Sequence, residues 1–298
     1  MKAGQATTNT KDAALPAVWV NGLRQPADGP HVSAHDRGLT LADGVFETLR
    51  VRSGTVFRLN RHLTRLEHGL AALGIASRPG LRESVLDAVR HTGALEAGVR
   101  LTVTRGIGRG GVAVPRDAVP TVIVAVNHLP DFQPAIYDRG LTAWIASGRR
   151  NERAMTAGLK VLAYTDAVVA LLEAERAGAD EALFLDTDGH CSEATSSNLF
   201  AWTGSTLLTP PVSCGALPGV TRAAVLEIAG TLGMSASERA FEPDELSEAD
   251  EAFLTSTLRG IVPLTRVGTQ AIGTGAPGPV TARFTEMYAA LVARECRA

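Results

Sequence analysis

The sequence predicts an α+β protein made of two units with mixed sheets and a cleft between them. Strand-like and helix-like segments follow one another along most of the 298 residues, and a stretch without periodicity interrupts them near the middle. Hydrophobic residues make up 45% of the chain, which is ample for buried cores, and this length is ordinary for two medium domains.

The first unit is expected over residues 15–128, after a polar tail at 1–14 that shows no packing pattern and is expected to be disordered. Alternating apolar and polar residues predict strands, and leucines spaced three and four residues apart predict a helix with Asn60 as its N-cap. In chain order we expect strands at 18–22, 44–52 and 55–59, helices from residue 60 and at 81–95, and strands at 99–104 and 121–126.

Residues 129–139, which carry two prolines, are the expected linker, and the second unit is expected over residues 140–298. The helix expected at 164–177 has an apolar side made of Ala167, Val168, Leu171 and Leu172. The other expected elements are strands at 140–147, 181–185, 197–202, 205–209 and 251–256 and helices at 221–233 and 280–295.

The composition excludes several classes of protein. A net charge of −2 without a basic stripe argues against nucleic-acid binding. No apolar run approaches the roughly 18 residues of a membrane span, so no membrane association is expected. Three cysteines without a CxxC pair indicate reduced thiols and a cytoplasmic protein.

Lys160 stands out because it is the one lysine of the expected folded body. The 29 Lys and Arg residues include three lysines, and the other two, Lys2 and Lys11, lie in the polar tail. Residues 156–164 around Lys160 are mostly small or apolar. Arginine cannot lose its proton and form a Schiff base, because its pKa exceeds about 12. Any amine chemistry by a side chain therefore points to Lys160.

Two motifs suggest functions that their surroundings contradict. Residues 106–111 match GxGxxG, but a dinucleotide site requires a helix at the last glycine, and a strand is the next expected element. We expect a flexible loop carrying Arg109 instead. His31 and His35 have metal-ligand spacing, but Gly and Pro residues around them argue against a helix, so no metal site is expected. His62 is expected to be structural.

The region from 156 to 222 supplies, in order, the three chemical types that a pyridoxal phosphate site requires. Lys160 offers the amine, Glu193 an anion for the ring nitrogen, and residues 219–221 backbone donors and a hydroxyl at the start of a helix, where a phosphate can bind. Taken alone, a glutamate in a loop and a Pro-Gly turn before a helix are ordinary features.

At these residues the chain resembles the class IV, fold-type IV pyridoxal-phosphate enzymes. The family includes branched-chain aminotransferases, D-amino-acid transaminases and 4-amino-4-deoxychorismate lyases. The likeness runs from about residue 18 to 290 and implies a small N-terminal domain, a larger C-terminal domain and pyridoxal 5′-phosphate in the cleft between them. Five motifs carry it: residues 35–47, His62-Leu-Thr-Arg-Leu66, Ser192-Glu-Ala194 with Ser197-Asn-Leu-Phe200, Leu217-Pro-Gly-Val-Thr-Arg222, and Gly278-Pro-Val280.

The resemblance implies a role for each matching residue. Lys160 is implied as the Schiff-base lysine and Glu193 as the partner of the pyridine nitrogen, where a carboxylate keeps the ring protonated and electron-withdrawing. Tyr164 is implied to contact the phenolic oxygen of the cofactor and Leu217 the face of its ring. The implied phosphate-binding residues are Arg65, Gly219, Val220, Thr221 and Thr257.

The resemblance leaves the reaction open between two alternatives. Phe46 and Glu47 fit the transaminase pattern, and an aminotransferase acting on an amino acid and a 2-oxo acid is our first expectation. The segments 179–185 and 256–263 resemble the lyase branch, so a 4-amino-4-deoxychorismate lyase is the second. Substrate contacts are expected from Phe46, Glu47, Arg109, Leu258 and Arg259. A non-catalytic binding protein on the same fold is a remote third alternative, and a homodimer is implied.

Overall fold

The computed structural model describes residues 15–26 and 28–297 and confirms an α+β fold with two separate sheets. The expected tail, residues 1–14, lies outside the described residues. The first sheet has six strands in the order β2-β1-β6-β5-β3-β4. Its elements are β1 (Ala17–Val20), β2 (Leu23–Gln25), α1 (Arg37–Leu41), β3 (Gly44–Arg52), β4 (Thr55–Val56), α2 (Leu59–Ala72), α3 (Leu81–Thr92), β5 (Glu96–Thr104) and β6 (Thr121–Asn127).

Every pairing in this first sheet is antiparallel, so the expectation of a mixed sheet is wrong here. The reason is that β1–β2 and β3–β4 are hairpins with two-residue turns, which can join only antiparallel strands. Leucines and valines of α2 and α3 pack on the sheet in one hydrophobic core. The helix α2 begins at Leu59, and its N-cap is Arg58 with φ +50° rather than Asn60, so β4 is shorter than expected.

The second sheet has nine strands and is mixed, as expected. Its path runs β12-β11-β10-β13-β14-β7-β8-β9, with β15 paired to β14. The elements from here on are α4 (Ala135–Arg139), β7 (Leu141–Arg149), α5 (Thr165–Arg176), β8 (Glu181–Leu185), β9 (Cys191–Ala194), β10 (Asn198–Trp202), β11 (Thr206–Thr209), a 3-10 turn (Val212–Cys214), α6 (Val220–Thr231), β12 (Ser235–Glu238), α7 (Pro243–Ser247), β13 (Glu251–Ser256), β14 (Gly260–Val267), β15 (Gln270–Ala271) and α8 (Pro279–Glu295).

The sheet supports α6 and α8 through an aromatic core. The rings of Phe200 and Phe253 stack with centroids 5.1 Å apart, and Phe284 of α8 packs on Phe253 at 5.6 Å. Ala224, Val225, Ile228 and Ala229 of α6 belong to the same core, and the start of α6 is part of the site described below. No helix among the described residues is long and apolar enough to cross a membrane.

The helix α5 buries only part of the side that was expected, namely Ala167, with Leu171 half-buried. Its buried residues are Ala167, Ala170 and Ala174, while Val168 and Leu172 are exposed. Small alanines allow α5 to lie close to the sheet, where they meet Ala146, Ala182 and Phe184. Val168 and Leu172 were expected on the packed side of α5 and instead form part of its surface.

Backbone hydrogen bonds join the segment around Lys160 to the first sheet. The N–H of Phe46 in β3 donates to the carbonyl of Lys160 at 3.0 Å, and the N–H of Leu162 donates to the carbonyl of Gly44 at 3.1 Å. Val45 and Val161 form the isolated bridge between them. Strand β3 therefore positions the backbone of a lysine that belongs to the second half of the chain.

Candidate active site

Lys160 lies between two aromatic rings that orient its amine. Its Nζ is 4.6 Å from the centre of the Phe46 ring and 3.2 Å from the hydroxyl oxygen of Tyr164, to which it donates a hydrogen bond. Tyr164 follows Lys160 by four residues, and its ring packs edge to face on Phe46 with the ring centroids 5.2 Å apart. The amine is thus held at the wall of a cavity by a strand residue and by the residue that precedes α5.

Glu193 lies on β9 and is held by three neighbours. The N–H of Leu217 donates to its Oε2 at 2.9 Å, the Asn198 amide donates to the same oxygen at 3.3 Å, and Arg150 Nη2 lies 3.2 Å from Oε1. Burial raises the pKa of the Glu193 carboxyl, against the opposing charges of Arg150, Lys160 and Arg65. A cation placed beside this carboxylate would favour its ionised form.

The start of α6 offers backbone N–H groups that no side chain caps. Gly219 is the N-cap of the 12-residue helix and supplies no side-chain cap, so the first N–H groups of α6 remain available to an anion. A Cβ on Gly219 would lie 2.0 Å from Asn198 Oδ1, so glycine is required for this close approach. The Asn198 amide donates to the carbonyl of Leu217 at 2.8 Å and thereby ties the turn to Glu193. Thr221 Oγ1 lies 3.5 Å from the Tyr288 hydroxyl.

Arg65 is fixed at this turn by a fully buried carboxylate. Glu47 accepts from Arg65 Nε at 2.7 Å and from Nη2 at 2.6 Å, while Arg65 Nη1 donates to the carbonyl of Pro218 at 2.9 Å. This arrangement uses one edge of the guanidinium and leaves N–H donors on its outer end. Burial raises the pKa of Glu47, but hydrogen bonds from Arg65 and His62 outweigh it and lower the pKa below its usual range.

This position corrects the expectation that Glu47 binds substrate. Its side chain is 0% exposed and lies under Arg65 and His62, so it cannot line a cavity. His62 Nδ1 is 2.7 Å from Glu47 Oε2, and His62 Nε2 is buried without a partner. Burial lowers the pKa of His62, and the charge of Arg65 adds to this effect, so the ring is neutral and structural, as expected.

A cavity of about 380 Å³ opens in front of the Lys160 amine. Both sheets contribute to its wall, since Phe46 and Arg100 come from the first and the turn between β13 and β14 from the second. Thr257 and Leu258 lie in this turn, where the carbonyl of Leu258 accepts from Arg50 Nη1 at 3.0 Å. The complete lining is Phe46, Thr48, Arg100, Phe132, Lys160, Tyr164, Ser196, Ser256, Thr257, Leu258 and Arg259.

Two arginines line this cavity, and they differ in whether a carboxylate pairs with them. Arg100 lies over the Phe46 ring, with its guanidinium carbon 3.7 Å from the centroid, and has no ion pair among the residues that the structure describes. Arg259 Nη1 is 3.4 Å from the buried carboxylate of Glu181, and its guanidinium carbon is 5.4 Å from the Phe132 centroid. The charge of Arg259 is partly neutralised, whereas that of Arg100 is open to an anion.

The structure does not bring Arg109 to this cavity. It lies in the exposed loop between β5 and β6, outside the residues that line the space around Lys160. The loop carries the GxGxxG match, and β6 follows it rather than a helix, so the dinucleotide geometry is absent there. Gly106 has φ +93°, and a Cβ on it would lie 1.9 Å from the carbonyl oxygen of Val119, which explains the glycine without a ligand.

Three residues of the site were not expected from the sequence. Arg100 is a charged residue on an apolar strand, a signal that could have been noticed. Arg150 follows β7 and contacts Glu193 only because the strands of the second sheet bring them together. Asn198 lies in a motif that the resemblance covers, but its bridge between Glu193 and Leu217 depends on the antiparallel pairing of Asn198 with Glu193.

Comparison with models of known protein families shows the family of this chain. The family model described as amino-transferase class IV matches residues 44–267. The chain belongs to the class IV aminotransferases. It is 32% identical over 275 residues to a putative branched-chain-amino-acid aminotransferase of Methanocaldococcus jannaschii, covering 91% of this chain and 94% of that protein. It is 34% identical over 272 residues to a D-alanine aminotransferase of Bacillus licheniformis, with coverage of 89% and 93%.

Solved structures of class IV enzymes are similar over nearly the whole chain. A branched-chain amino acid aminotransferase of Escherichia coli superposes with a TM-score of 0.89 at 28% identity, covering 95% of this chain and 96% of that one. A 4-amino-4-deoxychorismate lyase of Pseudomonas aeruginosa gives 0.81 at 33% identity, covering 91% and 97%. Another branched-chain amino acid aminotransferase, solved with pyridoxamine 5′-phosphate, gives 0.88 at 28%, covering 95% and 96%.

The residues present fit a phosphorylated pyridine cofactor such as the one in that relative. Arg65 donates to the carbonyl of Pro218, two residues before the uncapped start of α6, and a cation next to free backbone N–H groups suits a dianion. Glu193 is a buried carboxylate whose pKa is raised by burial, and a protonated ring nitrogen beside it would supply the positive charge that favours its ionised form. The charge of the Lys160 amine lowers the pKa of both Glu193 and His62, so the amine shares their electrostatic surroundings.

Proposed function

We propose that this class IV aminotransferase uses pyridoxal 5′-phosphate, attached to Lys160, to move an amino group between an amino acid and a 2-oxo acid. The observation that carries the proposal is the position of the Lys160 amine. It faces the cavity next to Tyr164, and it is the one lysine in the described part of the chain. No other side chain there can supply that amine.

In this proposal Glu193 binds the ring nitrogen, Leu217 packs on the ring, and the phosphate binds to Arg65, Thr257 and the N–H groups of Val220 and Thr221. The bound cofactor would supply an electron sink for the carbanion that forms when an amino acid loses its Cα proton. The chain's part is to bind both groups, exclude water and carry that proton.

The Lys160 amine would act as the general base at the substrate Cα after the substrate has replaced it on the cofactor. Tyr164 would hold Nζ near this position through its 3.2 Å hydrogen bond. Phe46 and Leu258 would enclose the substrate side chain, because both line the cavity in front of the amine. Placing the base before the reaction removes part of the entropic cost of the transition state.

Arg100 gives a basis for the substrate class. Its unpaired guanidinium at the cavity wall suits a second carboxylate, so we propose a dicarboxylic partner such as glutamate or 2-oxoglutarate on one side of the reaction. Arg259 is a weaker candidate for this contact, because Glu181 already pairs with it. Arg109 stays a prediction for substrate binding, since a second copy of the chain would have to bring it to the cavity.

Absorption spectroscopy of the full chain reconstituted with pyridoxal 5′-phosphate tests the proposal. We expect a visible band from the lysine-bound cofactor, which Lys160→Ala loses and the control Lys11→Ala keeps. We also expect amino transfer from an amino acid to 2-oxoglutarate or pyruvate. Absence of the band in the wild-type protein would instead favour a non-catalytic binding protein on this fold.

A 4-amino-4-deoxychorismate lyase is the second candidate, favoured by one observation. The lyase of Pseudomonas aeruginosa is 33% identical, above the 28% of the Escherichia coli aminotransferase and next to the 34% of the D-alanine aminotransferase of Bacillus licheniformis. Purified protein should be mixed with 4-amino-4-deoxychorismate, and separately with L- and D-amino acids plus a 2-oxo acid. Release of 4-aminobenzoate and pyruvate without an amino acceptor, together with no amino transfer, would replace our first choice with the lyase.

We also propose a homodimer in the cytoplasm. The exposed apolar residues Val168, Val169 and Leu172 of α5 support a second copy that covers them. Three free cysteines, Cys191, Cys214 and Cys296, support a reducing compartment.

A further inference from the structure

A cluster of potential metal ligands lies outside the cavity in front of Lys160. A carboxylate oxygen of Asp186, a ring nitrogen of His190 and the thiol sulfur of Cys214 all lie within 4.8 Å of one another. Among residues 15–26 and 28–297, no other three such side chains come as close. Three atoms at this spacing lie within about 2.8 Å of a common centre (4.8 Å divided by √3), and zinc ligands lie about 2.0–2.3 Å from their ion. A shift of roughly 0.5–0.8 Å for each atom would bring all three to zinc-ligand distance.

Local hydrogen bonds already orient these side chains. Asp186 Oδ1 accepts from the N–H of His190 at 2.8 Å and of Asp188 at 3.1 Å, which fixes the carboxylate. Its second oxygen, Oδ2, therefore faces His190 Nδ1 at 3.3 Å. Cys214 ends the 3-10 turn, where its N–H donates to the carbonyl of Pro211 at 3.0 Å. Such supporting contacts lower the cost of assembling a metal site.

The donor set selects the class of metal. Sulfur, nitrogen and oxygen donors together suit zinc, whereas calcium and magnesium take oxygen ligands. Asp186 and Cys214 are buried, while His190 is partly exposed, so the ion would reach the cluster, and a water would join it as fourth ligand, from the side of His190. We propose that Asp186, His190 and Cys214 bind one zinc ion.

Zinc at this position would connect the two segments that hold the cofactor residues. His190 lies three residues before Glu193, and Cys214 lies three residues before Leu217. These segments otherwise meet at the bond from Leu217 N–H to Glu193 and at the Asn198 bridge. The ion has a structural role here, and it lies apart from the reacting atoms.

The test incubates the full chain with zinc chloride, desalts it and measures its zinc content by mass spectrometry. Competition with a chromogenic chelator measures the affinity for zinc. We expect one zinc per wild-type chain. Cys214→Ser and His190→Ala should lower the affinity at least about tenfold. The matched control Cys296→Ser removes another buried thiol and should bind zinc as the wild type does. Zinc should also raise Tm in wild type and Cys296→Ser but not in Cys214→Ser.

Two results would overturn the proposal. One is wild-type protein that retains no zinc after desalting, which would leave Asp186 as a residue that only stabilises its turn. The other is equal zinc binding by Cys214→Ser and wild type, which would place the ion on other histidines. Circular dichroism of the variants checks that they fold. Neither readout requires turnover, so a negative result here is independent of the proposed transaminase activity.

Discussion

Arg65, Glu47 and His62 form a buried unit in which each side chain limits the others. Glu47 accepts two bonds from Arg65 and one from His62, so its carboxylate is satisfied without water. Burying a carboxylate is tolerated only with such partners. Because the outer end of Arg65 stays free, the unit holds a cation at a fixed place beside the start of α6.

The neutral state of His62 makes stability depend on pH. Its folded pKa lies below the ordinary value of 6.5, so between these two values the unfolded chain binds a proton that folded His62 does not. The free energy of unfolding should therefore fall as pH decreases below 6.5, by up to about 1.4 kcal/mol per pH unit for this one group. Above 6.5 this contribution is fully present.

Urea unfolding at several values between about pH 5 and pH 7.5 measures this slope. His62→Gln should reduce it, because glutamine does not titrate and can still donate to Glu47. The control His68→Gln, an exposed histidine on the same helix, should keep it. Equal slopes in wild type and His62→Gln would show that other groups cause the pH dependence.

Arg100 should decide the preference for dicarboxylic substrates. Replacing Arg100 by Met keeps most of the packing on Phe46 but removes a charge-assisted bond, which contributes about 1.5–3 kcal/mol. The KM for 2-oxoglutarate should rise roughly 10- to 100-fold, while the KM for pyruvate should change little. Steady-state kinetics with both acceptors measure the two values.

A matched control for this substitution exists on the first strands. Arg24 lies over the Trp19 ring at 5.8 Å and does not line the cavity, so Arg24→Met removes an arginine above an aromatic ring without changing the site. It should leave both KM values unchanged. An equal rise of both KM values in Arg100→Met would argue for a general loss of structure instead of a carboxylate contact.

At the scale of elements, the start of α6 depends on one glycine. In Gly219→Ala the new Cβ would lie 2.0 Å from Asn198 Oδ1, so the turn or Asn198 must move. We expect the affinity for pyridoxal 5′-phosphate to fall at least about tenfold, since one lost phosphate bond to a charged group costs about 1.5–3 kcal/mol. Titration of the apoprotein, followed by absorbance, measures the affinity.

Gly230→Ala is the control on the same helix. A Cβ at Gly230 meets no atom within 4 Å, so this change should stabilise α6 by about 0.5–1 kcal/mol and leave cofactor affinity unchanged. If both alanine variants bind the cofactor equally well, the close approach of Gly219 to Asn198 does not contribute to cofactor binding.

Some helices and strands could be predicted from the sequence and others could not, and the difference has physical causes. The bounds of β3, β8 and β13 agree with their expected ranges, because alternation or a short apolar run between turns is a strong signal. Strand β14 was missed because it is buried on both faces and contains Pro263, and β9 because Cys191-Ser-Glu-Ala194 has no strand pattern. The buried side of α5 was partly misassigned because small alanines, not large apolar residues, face the sheet there.

The same contrast holds for the site. Lys160 and Glu193 were found because their chemical type and order along the chain are informative without a fold. Their roles remain predictions that the proposed spectra test. Arg150 and the Asp186–His190–Cys214 cluster depend on which strands are neighbours, and strand order is not encoded in local periodicity.

For the whole molecule, the exposed side of α5 leads to a test of assembly. Val168, Val169 and Leu172 are 57%, 50% and 43% exposed. If a second copy covers them, the wild-type protein should have twice the mass of 31.2 kDa in light scattering, and Val168→Glu with Leu172→Glu should give a monomer. The control Leu95→Glu changes a 67% exposed residue just before β5 and should leave the mass unchanged. A wild-type monomer would contradict the proposed homodimer.

The bridge between β3 and the Lys160 segment means that the two halves of the chain together position the Lys160 amine. By sequence the amine belongs to the second half of the chain, whereas Gly44 and Phe46, which hold its backbone, belong to the first. Residues 1–139 and 140–298 produced as separate polypeptides would therefore place Lys160, the lysine that we propose binds the cofactor, on one fragment and the strand that holds its backbone on the other. We expect colour to return only when the fragments reassociate, which would turn this protein into a split reporter that is read by eye.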